Sequence, residues 1–134
     1  MENFTLDKDI KVYCVTAKSF PDGVLEAHQK LHALVPYSQE RKYFGISRPE
    51  NGKIMYKSAA DELVKGDLSK HDLEEFIIPK GRYRYHIVKN FMQNIPAIGE
   101  TFQQLISQPD IDPNGHCIEW YLSDKDVKCM VRLK

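Results

Sequence analysis

The sequence predicts an α+β fold: tandem strand-helix-strand-strand units form a curved antiparallel sheet, with two helices on one face and a central ligand cleft. Three observations predict it. The β-rich runs Lys11–Ala17 and Arg82–Lys89 are each followed by a segment with helical apolar spacing. The step from strand start to helix start is 13 residues in both cases, 11 to 24 and 82 to 95. Each helix then leads to two more strand-like runs joined by a tight turn. The two units share almost no identical residues, so the repeat is one of pattern. Its halves, about 10–63 and 72–134, belong to a single domain.

The first strand, Lys11–Ala17 (KVYCVTA), carries β-branched and aromatic residues. It ends at Ser19-Phe20-Pro21-Asp22, a turn in which Asp22 can cap the following helix. Val24, Ala27, Leu31, Leu34 and Val35 then mark a helix of about three turns, closed by Pro36. Arg41–Ser47 and Lys53–Ala60 read as a hairpin across Arg48-Pro-Glu-Asn-Gly52, where Asn-Gly is the turn signal. A short strand, Glu75–Ile78, precedes Pro79 and Gly81. After Arg82–Lys89, the residues Ile95, Ile98, Phe102, Leu105 and Ile106 fall on one helical face, with Asn94 and Pro96 as start signals. The hairpin Cys117–Leu122 and Val127–Leu133 closes the chain, turning at Ser123-Asp-Lys-Asp126.

Composition removes several function classes. Nineteen basic residues balance nineteen acidic ones across 134 residues, which leaves no general basic field for nucleic acid and no acid excess for DNA mimicry. No apolar run approaches a membrane span, and residues 1–10 are too polar for a signal peptide. Three cysteines without CxxC spacing (Cys14, Cys117 and Cys129) read as buried thiols of a cytoplasmic protein. His28-Gln-Lys-Leu-His32 has two histidines at helical spacing, but Gln29 stands where a zinc protease needs a glutamate base. Neither a metal nor a cofactor is expected. His28 lies beside the apolar stripe, as a packed or pocket-edge residue.

Two segments carry a family resemblance. Ile78-Pro79-Lys80-Gly81-Arg82-Tyr83, within the run Phe76–Tyr85, and Glu119-Trp120-Tyr121 in the penultimate strand resemble motifs of the GyrI-like (gyrase-inhibitor-like) small-molecule-binding domain. Tyr43-Phe44-Gly45-Ile46 is similar to that family's Tyr-Gly-Ile strand. The resemblance covers nearly the whole chain and implies the same tandem fold. It departs at the end, Met130-Val-Arg-Leu-Lys134, and in offering no helix-turn-helix segment, although family members related to transcription regulation are commonly fused to one. A stand-alone member is the expectation: a multidrug-binding-type sensor, carrier or sequestering protein for a small apolar or cationic molecule. The alternatives are a hydrolase of small electrophilic molecules, or a protein-binding inhibitor such as a gyrase modulator. No direct nucleic-acid or membrane partner is expected; a protein partner or homodimer stays open.

Glu119 is the most informative residue. Strand alternation places Cys117, Glu119 and Tyr121 on one face, and Ile118, Trp120 and Leu122 on the other. A carboxylate beside tyrosines attracts organic cations by charge and by cation–π contact. Burial would raise its pKa and suit it to acid–base work; the resemblance implies that the matching glutamate contacts cationic effectors. Tyr83 and Tyr85 share a face and are candidates for an aromatic wall opposite Glu119. Tyr43 and Tyr56 are candidates for the other wall. Beside Glu119 the ligand-binding ring is Tyr121 or Trp120; a regular strand lets only one of them face the cleft, and alternation favours Tyr121, leaving Trp120 to pack under the helices.

Overall fold

The computed structural model describes all 134 residues. Eight strands alternate with two α-helices: β1 (Glu2–Leu6), β2 (Ile10–Thr16), α1 (Val24–His32), β3 (Tyr43–Glu50), β4 (Lys53–Ala60), β5 (Glu74–Ile78), β6 (Gly81–Val88), α2 (Pro96–Ile106), β7 (Cys117–Tyr121) and β8 (Val127–Arg132). The order β2-α1-β3-β4 recurs as β6-α2-β7-β8, as the repeat of pattern predicts. All strands join one antiparallel sheet, ordered β1-β6-β8-β7-β3-β4-β2-β5.

Chain connectivity forces that sheet to curl. In a flat sheet β1 and β2 would lie about 29 Å apart, six strand spacings. Only Asp7, Lys8 and Asp9 join them, and the step from Leu6 to Ile10 reaches about 14 Å at most. Pro79 and Lys80 make a still shorter link from β5 to β6. The opposite ends of the sheet therefore meet, and the Asp9 carboxylate accepts a hydrogen bond from the Lys80 amide across the seam.

The inner face of the curl is a packed apolar core. Val12, Cys14, Phe44, Ile46, Ala59, Ile78, Tyr83, Ile118 and Met130 are buried there, drawn from seven of the eight strands, with Phe4 of β1 against them. The helices cover the outer face. Helix α1 lies on β4 and β2, where Leu31 joins Tyr13, Tyr43, Ala60 and Leu68. Helix α2 lies on β8 and β6, where Phe102 and Leu105 meet Val88, Phe91, Val127, Cys129 and Val131.

Several local expectations need correction. Strand β1 falls in a segment read as polar lead-in. Only alternate residues of an edge strand need be apolar, and Phe4 and Leu6 supply them. Asp22 does not cap α1; Gly23 holds the N-cap position, and the helix begins at Val24 without a side-chain cap. The helix ends at His32, short of Val35, as Leu34 N–H turns back to the Leu31 carbonyl. Ile95 and Ile106 of the α2 stripe are solvent-exposed, and Ala97, Ile98, Phe102 and Leu105 make the contact instead. Strand β3 runs on through Pro49 and Glu50, so the hairpin turns at Asn51-Gly52 alone, both with the positive φ a tight primed turn requires.

Candidate functional site

Between the two helices the sheet's outer face shows β3 and β7, and Glu119 sits at the centre of that strip, opposite Gly45 in β3 and Cys129 in β8. Glu119 is 9% exposed and forms no ion pair. Its Oε1 accepts hydrogen bonds from the Tyr121 hydroxyl (2.5 Å) and the Tyr56 hydroxyl (3.2 Å). Burial pushes its pKa above the usual carboxylate value, and the two hydroxyls oppose the rise by solvating the charged form. Burial and the neighbouring carboxylate raise both tyrosines in turn.

The cluster continues into α1. His28 Nε2 lies 2.9 Å from the Tyr56 hydroxyl, and Nδ1 lies 2.6 Å from Ser58 Oγ. Burial lowers His28 to about 4, so the ring is neutral at pH 7. Alternation explains why β4 contributes two members: Tyr56 and Ser58 are two residues apart and share its outer face. The His28 ring meets Tyr56 and Tyr121 edge-on at 5.6 and 5.8 Å. Phe20 stacks on Tyr56 (5.9 Å) and Phe91 leans on Tyr121 (5.6 Å), so both flanks are aromatic.

Gly45 makes room for this arrangement. A Cβ there would lie 2.0 Å from the Tyr56 hydroxyl and 2.8 Å from Glu119 Oε1. The absent side chain of β3 is thus the space that Tyr56 fills.

Glu119, Tyr121, Tyr56 and His28 are brought together, while Tyr43 stands one cross-strand pair away, opposite Tyr121. Tyr43 packs against His32 (4.9 Å) and Tyr37 (5.5 Å). The expectation that Tyr83 and Tyr85 face Glu119 is overturned. Tyr85 pairs with Met130 and Met130 with Ile118, which puts both tyrosines on the inner face, whereas His86, Cys129 and Glu119 share the outer one. Tyr83 is fully buried and donates to the Pro79 carbonyl (2.6 Å). Trp120 is also on the inner face, not under the helices. It packs on Phe44 and, with Phe4 and Tyr85, surrounds the Lys128 ammonium at 4.3 to 5.1 Å from the ring centres.

Sequence reasoning passed over Ser58, Phe20 and Phe91. Ser58 carried a usable signal, since it shares a strand face with Tyr56. Linking it to His28 requires knowing that α1 lies on β4. The Tyr56 and Tyr121 hydroxyls close on Glu119, and His28 backs Tyr56. A cavity of about 410 Å³ opens elsewhere, between Lys8, Lys11, Lys42 and Asp9, Asp61, Glu62, whose opposite charges cancel.

No family model matches the chain, and no curated protein matches it. Solved structures do. An integron cassette protein from the mobile metagenome of Vibrio cholerae superposes with a TM-score of 0.74 at 12% identity, covering 99% of this chain and 95% of that one. A protein described as a hydrolase from Listeria innocua gives a TM-score of 0.55 at 15% identity, covering 99% and 90%. SAV2435, solved bound to tetraphenylphosphonium, gives 0.55 at 12% identity, covering 98% and 93%. The fold is shared with all three. No helix here is long and apolar enough to cross a membrane.

Proposed function

We propose that this protein binds a small organic cation with apolar substituents at Glu119, between α1 and α2, as a sensor, carrier or sequestering protein. The observation that carries this is a buried carboxylate with no cationic partner, ringed by tyrosines. Burying an unpaired charge is costly, and an incoming cation offsets that cost while the rings add cation–π attraction. Phe20 is 46% exposed while touching Tyr56, so apolar surface continues from the carboxylate to solvent. Entry requires the Tyr56 or Tyr121 ring to turn aside, exchanging hydroxyl contacts with Glu119 for contacts with the ligand. The resemblance to GyrI-like domains supports this reading, as does the cation bound by SAV2435 on the same fold.

Thermal melting in the presence of tetraphenylphosphonium and of neutral triphenylphosphine oxide tests it. The wild type is expected to be stabilised by the cation, and Glu119→Gln is expected to lose that shift while keeping any response to the neutral compound. An equal shift in both proteins would refute a charge anchor.

One observation favours a second reading, hydrolysis of a small electrophilic molecule. A carboxyl group of raised pKa lies in one hydrogen-bonded cluster with two phenols and an imidazole, groups able to take and return a proton. Turnover of activated esters and strained-ring substrates that is equal in wild type and Glu119→Gln would exclude it.

A further inference from the structure

We propose that His28 and Ser58 form a positioning relay that fixes the direction of the Tyr56 proton, so that in the ligand-free protein Glu119 is held as a carboxylate accepting two hydroxyl protons. The inference rests on the cation-binding reading for its purpose, but its geometry can be read without any ligand. Four contacts run in series: Ser58 Oγ to His28 Nδ1 (2.6 Å), His28 Nε2 to the Tyr56 hydroxyl (2.9 Å), Tyr56 to Glu119 Oε1 (3.2 Å), and Tyr121 to the same oxygen (2.5 Å).

Each donor has one proton to place. Tyr56 has one proton and three acceptors within reach, Glu119 (3.2 Å), His28 Nε2 (2.9 Å) and the Tyr121 hydroxyl (3.4 Å). The last is the longest and neutral, and Tyr121 spends its own proton on Glu119, so the choice lies between Glu119 and His28. If His28 carries its proton on Nδ1, it donates to Ser58, Nε2 takes the Tyr56 proton, and Glu119 keeps only Tyr121. If His28 carries its proton on Nε2, then Ser58 donates to Nδ1, Nε2–H donates to Tyr56, and Tyr56 donates to Glu119. In that arrangement every proton has an acceptor, and the carboxylate is solvated twice. Hydrogen bonds to a charged acceptor are stronger than neutral ones, which selects the second arrangement whenever Glu119 is ionised.

The surroundings leave His28 no other polar partner of comparable distance. From its own helix it meets His32 at a ring separation of 5.7 Å; from β4 it meets Tyr56 and Ser58, and from β7 Tyr121. Ser58 is fully buried, so its hydroxyl serves the imidazole rather than a solvent-borne substrate. His28 is thus a positioning residue that acts on the ligand through Tyr56 and Glu119.

Ring nitrogen shifts of His28, read by ¹⁵N NMR on the ligand-free protein at pH 7, test the relay directly. The proton is expected on Nε2; a proton on Nδ1 overturns the proposal. Tyr56→Phe removes the acceptor of Nε2–H and one donor to Glu119, so it is expected to move the tautomer balance toward Nδ1–H, with Ser58 as acceptor, and to raise the Glu119 pKa, read by ¹³C titration of its carboxyl. No change in either overturns it. In His28→Gln the amide can accept from Ser58 and donate to Tyr56, so tetraphenylphosphonium affinity should stay near wild type. His28→Leu should lose about tenfold. Equal losses in the two variants would mark His28 as a packing residue and refute the relay. If wild type binds no cation, the cation-binding reading fails while the tautomer still decides the relay.

Discussion

Replacing Gly45 by alanine is the sharpest perturbation of the outer-face cluster, because one methyl group meets two of its members. The new Cβ would stand 2.0 Å from the Tyr56 hydroxyl, where a carbon–oxygen contact needs about 3.3 Å. Tyr56 must therefore retreat by more than 1 Å, which breaks its bonds to Glu119 and His28, now 3.2 and 2.9 Å. Overpacking costs about 1–3 kcal/mol and each lost buried hydrogen bond about 1 kcal/mol. Gly45→Ala should thus lose about 3–5 kcal/mol and melt roughly 10–20 °C lower. Gly99→Ala is the control. Its Cβ meets nothing within 4 Å in α2, and a helical Gly→Ala change stabilises by roughly 0.5–1 kcal/mol. Urea titrations of both variants give the comparison. A Gly45→Ala midpoint equal to wild type would show that Tyr56 does not occupy the space beside β3.

Acidification and the inner face supply two more expected outcomes. His28 falls from 6.5 to about 4 on folding, so the unfolded chain binds more protons between those values, and stability is lost as pH drops from 6.5 to 4. That loss is worth up to about 3 kcal/mol. Glu119 acts oppositely: its raised pKa makes the folded state the better proton binder above pH 4.5, so stability falls as pH rises through that window. Denaturant melts of Glu119→Gln across pH 4–7 should therefore show a steeper acid loss than wild type, and a shallower one would reverse the assigned signs. On the inner face, Lys128→Met removes an ammonium held by three rings. It should cost about 1–2 kcal/mol and shift Trp120 emission; unchanged emission would contradict the cage.

Alternation told which residues share a face, but not which face carries the helices. It grouped Glu119 with Tyr121, and it also grouped Tyr83 with Tyr85. The two pairs nonetheless point to opposite faces of the sheet. That choice depends on the β6–β8–β7 register, a non-local property that no local pattern encodes. The β3–β4 hairpin was legible because Asn51-Gly52 fixes its turn locally. Strand β1 was not, since its partner lies some eighty residues away in β6 and its apolar content is only Phe4 and Leu6. His28 was legible as a packed or pocket-edge residue; its partners depended on where α1 docks.

A buried carboxylate that receives a cation must give up any proton it holds, and this is the most direct test of the site. Calorimetric titration of the wild type with tetraphenylphosphonium, repeated in buffers of different ionisation enthalpy from pH 5 to pH 8, counts that proton. If Glu119 is the anchor, binding releases a proton at the acid end, affinity rises with pH, and both effects vanish in Glu119→Gln. Affinity that is independent of pH and equal in the two proteins would contradict a cation site at Glu119.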